Sequence, residues 1–346
     1  MAARLRDVAE LAGVSVKTAS NVINNYPHVK PSTRAKVEAA VKQLRYRPNE
    51  SARQLKHGRS GFLALAVPQL DSPYFAELAT RLSAEAARRG YIMLLDITGA
   101  DPQAERVVLD GVRSHIIDGL IFSPLTVSAA EVAARGEDRP MVLLGERVIA
   151  DNCDHVAVDS VAAAAAMTAH LIETGRSRVA AIGRESVKGT ASVRLAGYRQ
   201  ALADAGLPYD PELVIAVKQY NRTDGKAAMQ RLLAGDRPPD AVFCFNDLMA
   251  VGALRACAEA AVRVPEEIAI AGFDDIPECE FITPSLSTVA ADLDALSREA
   301  LRLLLSRVAG STDPIERVRV PWQLKIREST GSPARPPSTT APATGR

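Results

Sequence analysis

Leu5-Arg6-Asp7-Val8-Ala9-Glu10-Leu11-Ala12-Gly13-Val14-Ser15-Val16-Lys17-Thr18-Ala19-Ser20-Asn21-Val22-Ile23-Asn24 reads as two short helices divided by a tight turn. In the first, Val8, Leu11 and Ala12 fall at i, i+3 and i+4 and make one apolar face. Gly13 can take the left-handed conformation that ends a helix sharply. Ser15 then stands where an N-cap is wanted, its hydroxyl accepting from the free amides of the next turn. The second helix turns Ala19, Val22 and Ile23 inward and carries Val16, Lys17, Ser20 and Asn21 on its other face. Ala9 is small, so the two helices can approach closely. A third helix is expected over Ser32–Arg45, with Pro31 in its first turn and Val37, Ala40, Val41 and Leu44 as its stripe. This is the helix-turn-helix order, in which the second helix enters the major groove and its first residues meet base edges.

The charge distribution agrees. Residues 1–60 hold 12 Lys and Arg against 4 Asp and Glu, and the remainder holds 30 against 37, although the whole chain is only +1. A basic head on an acidic body is the footprint of a nucleic-acid reader, because neutralising phosphates needs clustered cations. A length of 346 residues with 47% hydrophobic content predicts a folded chain of two or three compact units. Cys153, Cys244, Cys257 and Cys279 form no C-x-x-C pair and no His stands at ligand spacing. They read as free thiols in a reducing cytosol, with no metal or other cofactor expected. No stretch is long and apolar enough to span a bilayer, and Met1–Glu10 lacks the apolar core of an export signal. The expected location is the cytoplasm.

From Phe62 onward, short apolar runs alternate with helical stretches. Strands are expected at Phe62–Val67, Tyr91–Asp96, Gly119–Phe122, Met141–Leu144, Val179–Ile182, Leu213–Val217, Ala241–Phe245 and Ile268–Ala271. Helices are expected at Tyr74–Arg89, Val161–Thr174, Arg194–Ala205 and Asp247–Ala260. The alternation predicts parallel sheets covered by helices on both faces, and the series is long enough for two lobes. Ligands of such sheets bind beyond the carboxyl ends of the strands. That placement singles out Tyr74, Phe75, Glu146, Arg194, Tyr220, Asn246, Asp247 and Asp274. Carboxylates, amides and a guanidinium beside aromatic faces suit a polyhydroxylated small molecule, such as a carbohydrate. Plainer readings stand beside these: Asp247 as a helix N-cap, Asp275 as a turn former, Tyr74 and Phe75 as lobe packing. Catalysis is not expected, since G-x-S-x-G, P-loop, G-x-G-x-x-G and H-E-x-x-H patterns are all missing.

The run Leu5–Asn24 strongly resembles the head of the lactose-repressor (LacI/GalR) family, as do Thr33-Arg34, Tyr46-Arg47-Pro48-Asn49 and Ser51-Ala52-Arg53-Gln54-Leu55. Arg194-Leu195-Ala196-Gly197-Tyr198, Phe245-Asn246-Asp247-Leu248-Met249-Ala250 and Gly272-Phe273-Asp274-Asp275 match it too, and the likeness extends to about Ser329. The resemblance implies a small all-α helix-turn-helix head plus an α/β two-lobed, periplasmic-binding-protein-like domain with two doubly wound parallel sheets. The expected division is 1–47 for the head, 48–60 for a hinge, and 61–329 for the effector and dimerisation domain. Lobe 1 would take about 61–160 and 288–320, lobe 2 161–287 and 321–329, and 330–346 would be a disordered tail rich in Pro, Ser, Thr and Ala.

The same resemblance implies a transcription repressor whose grip on its operator is controlled by a small-molecule effector bound between the lobes. Val16 and Lys17, just after the Ser15 cap, would be the base-reading pair, with Thr18, Ser20 and Asn24 holding phosphates or making supporting contacts and His28 and Lys30 near the backbone. Asn21 stands where many relatives carry Arg. Asn pairs better with adenine than with guanine, so the preferred base differs there. In the hinge, Asn49 can cap a short helix, Ala52 is small enough for two copies to pack, and Leu55 lies one turn further on. So short a helix needs a partner to form. The resemblance implies paired hinge helices in the minor groove, with Leu55 wedged between base pairs. Relatives bond the effector from the positions of Arg194, Asn246 and Asp274, and Tyr74, Phe75, Glu146 and Tyr220 complete the candidate set. With no leucine heptad in the tail, a homodimer is expected, on a near-palindromic operator in double-stranded DNA. The alternative from another class is a two-lobed binding protein for transport or chemoreception, against which the basic head weighs.

Overall fold

The computed structural model describes residues 3–23, 26–46, 59–111, 116–135, 139–183 and 190–331. Asn24, most of the expected hinge with Asn49, Ala52 and Leu55, and the tail after Gly331 lie outside the described residues. The chain divides between Ser60 and Gly61 into two units.

The first unit holds α1 (Leu5–Ala12), α2 (Val16–Ile23) and α3 (Pro31–Gln43). Their common core is Val8, Ala9, Ala12, Ala19, Val22, Val37 and Ala40. Gly13 takes φ +66° and the Val14 amide donates back to the Ala9 carbonyl at 3.0 Å, which closes α1 and redirects the chain. Leu11 does not face inward; it is 46% exposed. At 100° per residue, Leu5, Val8, Ala9 and Ala12 span one face, and Leu11 falls beside it. The small Ala9 therefore takes the inward place assigned to Leu11.

The second unit begins with β1 (Phe62–Val67), α4 (Pro73–Arg88), β2 (Ile92–Ile97), α5 (Pro102–Leu109), β3 (Gly119–Phe122), α6 (Ala129–Ala134), β4 (Met141–Leu144) and β5 (Asp154–Val158). It continues with α7 (Ser160–Glu173), β6 (Val179–Ile182), α8 (Thr190–Asp204), β7 (Val214–Ile215), α9 (Arg222–Leu233), β8 (Ala241–Cys244), α10 (Asp247–Glu259), β9 (Ala269–Phe273) and β10 (Ser287–Ala291). α11 (Leu293–Val308), β11 (Arg317–Val320) and β12 (Trp322–Lys325) complete it. Among the described residues these strands form two six-stranded sheets, ordered β11-β5-β4-β3-β1-β2 and β12-β10-β9-β8-β6-β7. β1, β3, β4, β6 and β8 are almost wholly apolar and almost wholly buried, as strands covered on both faces must be. Each sheet reverses its order beside its first strand, and the crevices at those switch points open at the strands' carboxyl ends.

The chain passes between sheets at Asp159, Asp292 and Pro321, each between an element of one lobe and an element of the other. The return to lobe 1 at 288 expected above comes too early. β10 stays in the second sheet to Ala291, pairing Ser287–Val289 with Ala271–Phe273 and Ala290 and Ala291 with Gln323 and Trp322. β12 runs antiparallel to β10, so the second sheet is parallel only in its other strands. α11, although it follows β10 directly, packs its Leu293, Leu296, Leu301 and Leu304 into the core of lobe 1.

Candidate functional site

In the head, the Thr18 amide donates to the Ser15 hydroxyl at 3.1 Å, and the Ser15 and Thr18 hydroxyls lie 2.8 Å apart. Ser15 is thus the N-cap of α2, and Thr18 closes the same turn. Val16 and Lys17 stand exposed at the start of that helix, with Ser20 and Asn21 half-buried further along it. His28 is exposed and meets the Tyr26 ring edge-on, with centroids 5.6 Å apart. Tyr26 was passed over in the sequence; it is an exposed aromatic whose carbonyl accepts from Arg34 at 2.8 Å. Lys17, Lys30, Lys36, Lys42 and Arg45 are exposed as well. An apolar residue and a lysine opening an exposed, capped helix can contact base edges, while the remaining cations suit phosphates.

In the body, the candidate effector residues follow strand ends on both lobes. Tyr74 and Phe75 lie in the first turn of α4, after β1, and Glu146 follows β4. Arg194 follows β6, Tyr220 follows β7, Asn246 follows β8 and Asp274 follows β9. Arg194 does not open its helix; it sits in the second turn of α8, which begins at Thr190. Its guanidinium lies 3.5 Å from the centroid of the Phe273 ring. One Nη donates to the Phe245 carbonyl, and the other reaches the Asp274 carboxylate at 3.5 Å. A desolvated cation over a ring face is worth roughly 2 kcal/mol. Phe273 therefore fixes Arg194, a role the sequence left unmarked although the motif contains it.

Around this pair the structure gathers Glu146 and Tyr74. Burial lifts the Glu146 carboxyl above its ordinary range, against the pull of Arg194 and of the Ser160 hydroxyl, which donates to Glu146 Oε1. Among the described residues Glu146 Oε2 is buried without a hydrogen-bond partner, as is Arg194 Nε. Asp274 is lifted to about 8, chiefly by burial; Arg194 opposes, while Asp247 and Glu146 add to the lift. Burial also raises the Tyr74 phenol, helped by Asp274 and Glu146. Tyr74 packs against the cores of both lobes, and Phe75 meets it edge-on at 5.1 Å.

Asn246, placed among the effector residues above, has a structural duty that the sequence reading gave to its neighbour. Its Oδ1 accepts the Met249 amide at 2.9 Å and its Nδ2 donates to the Tyr220 carbonyl at 3.3 Å. Asn246, not Asp247, is the N-cap of α10, because only the residue before the first turn can reach its third amide. Beside the cluster lies a cavity of about 380 Å³ lined by Glu77, Arg81, Asp274, Asp275, Asp292 and Trp322 among others. Trp322, likewise unmarked in the sequence, packs against both cores. Among the described residues no group of three His, Cys, Asp or Glu side chains could hold a metal ion, and no helix is long and apolar enough to cross a membrane.

Two family models match the chain: bacterial regulatory proteins of the lacI family over residues 4–49, and the periplasmic binding protein-like domain over 168–330. The HTH-type transcriptional repressor PurR of Histophilus somni (strain 2336) is 32% identical over 329 residues, covering 94% of this chain and 98% of that protein. Among solved structures, a complex of the transcriptional regulator CelR with cellobiose is 31% identical with a TM-score of 0.72, covering 94% of this chain and 99% of the other. The lac repressor dimer bound to operator and the anti-inducer ONPF is 25% identical with a TM-score of 0.84, covering 96% and 100%.

Proposed function

The chain belongs to the lacI family of bacterial regulatory proteins, and on that premise we propose that it represses transcription from a near-palindromic operator, in the cytoplasm, under the control of a neutral polyhydroxylated effector such as a sugar. One observation carries the effector reading: a single polar cluster draws Tyr74 and Glu146 from one lobe and Arg194 and Asp274 from the other. A ligand that bonds both halves stabilises one lobe angle over another. Coupling between such a cleft and DNA is typically about 1–3 kcal/mol, or roughly 5- to 150-fold in affinity. The reading assigns binding to this cluster.

A homodimer is part of the proposal. β2 is an edge strand whose Ile92, Leu94, Leu95 and Ile97 are all exposed, and Phe281 is 83% exposed. A bare apolar edge invites pairing with another chain, and a second copy satisfies it symmetrically. The relative crystallised as an operator-bound dimer supports the same assembly.

A thermal-shift panel of mono- and disaccharides, including cellobiose, together with nucleosides tests the effector reading, since a ligand of the folded state raises the melting point. Hits should also change operator retardation in gels. Compounds that raise the melting point equally in an Arg194→Ala variant would place the pocket elsewhere.

A further inference from the structure

Asp247 is wholly buried at the first position of α10, directly behind the turn that carries Asp274. Its Oδ1 accepts the Thr288 hydroxyl at 2.6 Å and its Oδ2 accepts the Ile276 amide at 3.0 Å. The Cys279 thiol donates to it as well. Thr288 Oγ1 in turn accepts the Asp275 amide at 3.3 Å. One carboxylate therefore holds, directly or through one hydroxyl, the amides of two successive residues.

Those amides lie within and directly after an unusual stretch of backbone. Asp274 has φ +116° and Asp275 φ +55°, conformations that L side chains rarely adopt and that persist only where the surroundings impose them. Gly272 shows how closely the carboxylate is pressed to the turn. A Cβ there would lie 2.1 Å from Asp247 Oδ1, so only glycine lets the two meet. From the other side, the Asp274 amide donates to the Val289 carbonyl at 2.9 Å, and Arg327 pairs with Asp275 at 2.8 Å. Thr288 and Val289 belong to β10, whose end leads into the Asp292 crossing to lobe 1.

We propose that Asp247 is a positioning residue: through Ile276 and Thr288 it holds the left-handed Asp274–Asp275 turn, aims the Asp274 carboxylate at Arg194, and ties that turn to the strand that crosses between lobes. The inference deepens the effector reading, in that it says what keeps the pocket's acidic arm in place. It also accounts for a buried acid that caps no helix. Loss of the carboxylate leaves the Ile276 amide facing a donor or a void, and loss of the Thr288 hydroxyl releases the Asp275 amide.

The test uses the full chain without ligand or DNA, so a failed effector screen leaves it standing. Hydrogen exchange by mass spectrometry follows peptides over residues 272–280, with peptides over Ala241–Cys244 as the internal reference. Asp247→Asn and Thr288→Val should each speed exchange in the turn at least about tenfold while the reference is unchanged, and Thr288→Ser should restore protection. If Asp247→Asn fails to fold, Thr288→Val carries the test, since it keeps both carboxylates. A second measurement separates aiming from general support. The coupling between Arg194→Lys and Asp274→Asn in melting temperature should fall to less than about half in the Thr288→Val background, whereas mere support would leave it intact. Wild-type exchange in Thr288→Val, or an unchanged coupling there, overturns the assignment.

Discussion

The Arg194 guanidinium lies 3.5 Å from the centroid of the Phe273 ring while one of its arms reaches Asp274, the residue next to that ring. Ring and carboxylate come from consecutive residues, so one turn supplies both the floor and the acid of the pocket. Arg194→Ala should then remove the melting-point rise produced by any hit of the sugar and nucleoside panel. It should also destabilise the body by about 2 kcal/mol, because it removes a cation stacked on the Phe273 ring and hydrogen-bonded to the Phe245 carbonyl. Urea unfolding of the effector domain measures the second effect.

The Asp274 carboxyl gives a pH signature. Burial raises it from 3.8 to about 8 despite Arg194. A folded-state value above the unfolded one means that folding favours the proton. The contribution to stability is fully present below pH 3.8 and is lost as pH rises through about 8. Between pH 5 and 8.5 the wild-type melting point should therefore fall relative to that of Asp274→Asn. A constant difference across that range would show the carboxylate ionised against Arg194 in the folded protein.

The apolar surface makes a prediction about assembly. Phe281→Asp places a charge where a partner would bury an exposed ring. Loss of an aromatic anchor costs 2 kcal/mol or more at a protein interface, about thirtyfold in Kd. Sedimentation at micromolar concentration should shift the chain toward monomer. A variant as dimeric as the wild type would move the interface away from this ring.

On the DNA side, Ser15→Ala should cost the head about 1 kcal/mol through loss of the α2 cap, visible as earlier thermal unfolding of the isolated transition. Asn21→Arg should move the preference at one base from adenine to guanine, with discrimination of about 1–3 kcal/mol in selection from randomised duplexes. Selection of the same base by both proteins would take Asn21 out of the reading face.

What the sequence made legible follows burial. Phe62–Val67, Gly119–Phe122, Met141–Leu144 and Val179–Ile182 were bounded to the residue, because their runs are apolar and both faces are covered. β5, β10, β11 and β12 were missed, because their polar residues are satisfied only by distant partners or lie at an edge. Asp154 in β5 is clasped by Arg307 at 2.7 and 2.8 Å, and Ser287 in β10 lies 2.8 Å from the Thr330 hydroxyl. Strand-end logic found Arg194, Asp274, Glu146 and Tyr74, which the structure brings together. It assigned Asn246 a ligand role and Asp247 a cap, and the hydrogen bonds exchange the second of these duties between the neighbours. No local pattern distinguishes an acid that caps from one that faces a turn 27 residues away; the partners Ile276 and Thr288 are contributed by the fold.

The chain has one tryptophan, Trp322, and its indole touches the cores of both lobes. A change of lobe angle has to alter the surroundings of that ring. The molecule thus carries its own optical gauge: excited beyond the absorption of its 7 tyrosines, the lone indole reports closure in real time, with no label attached.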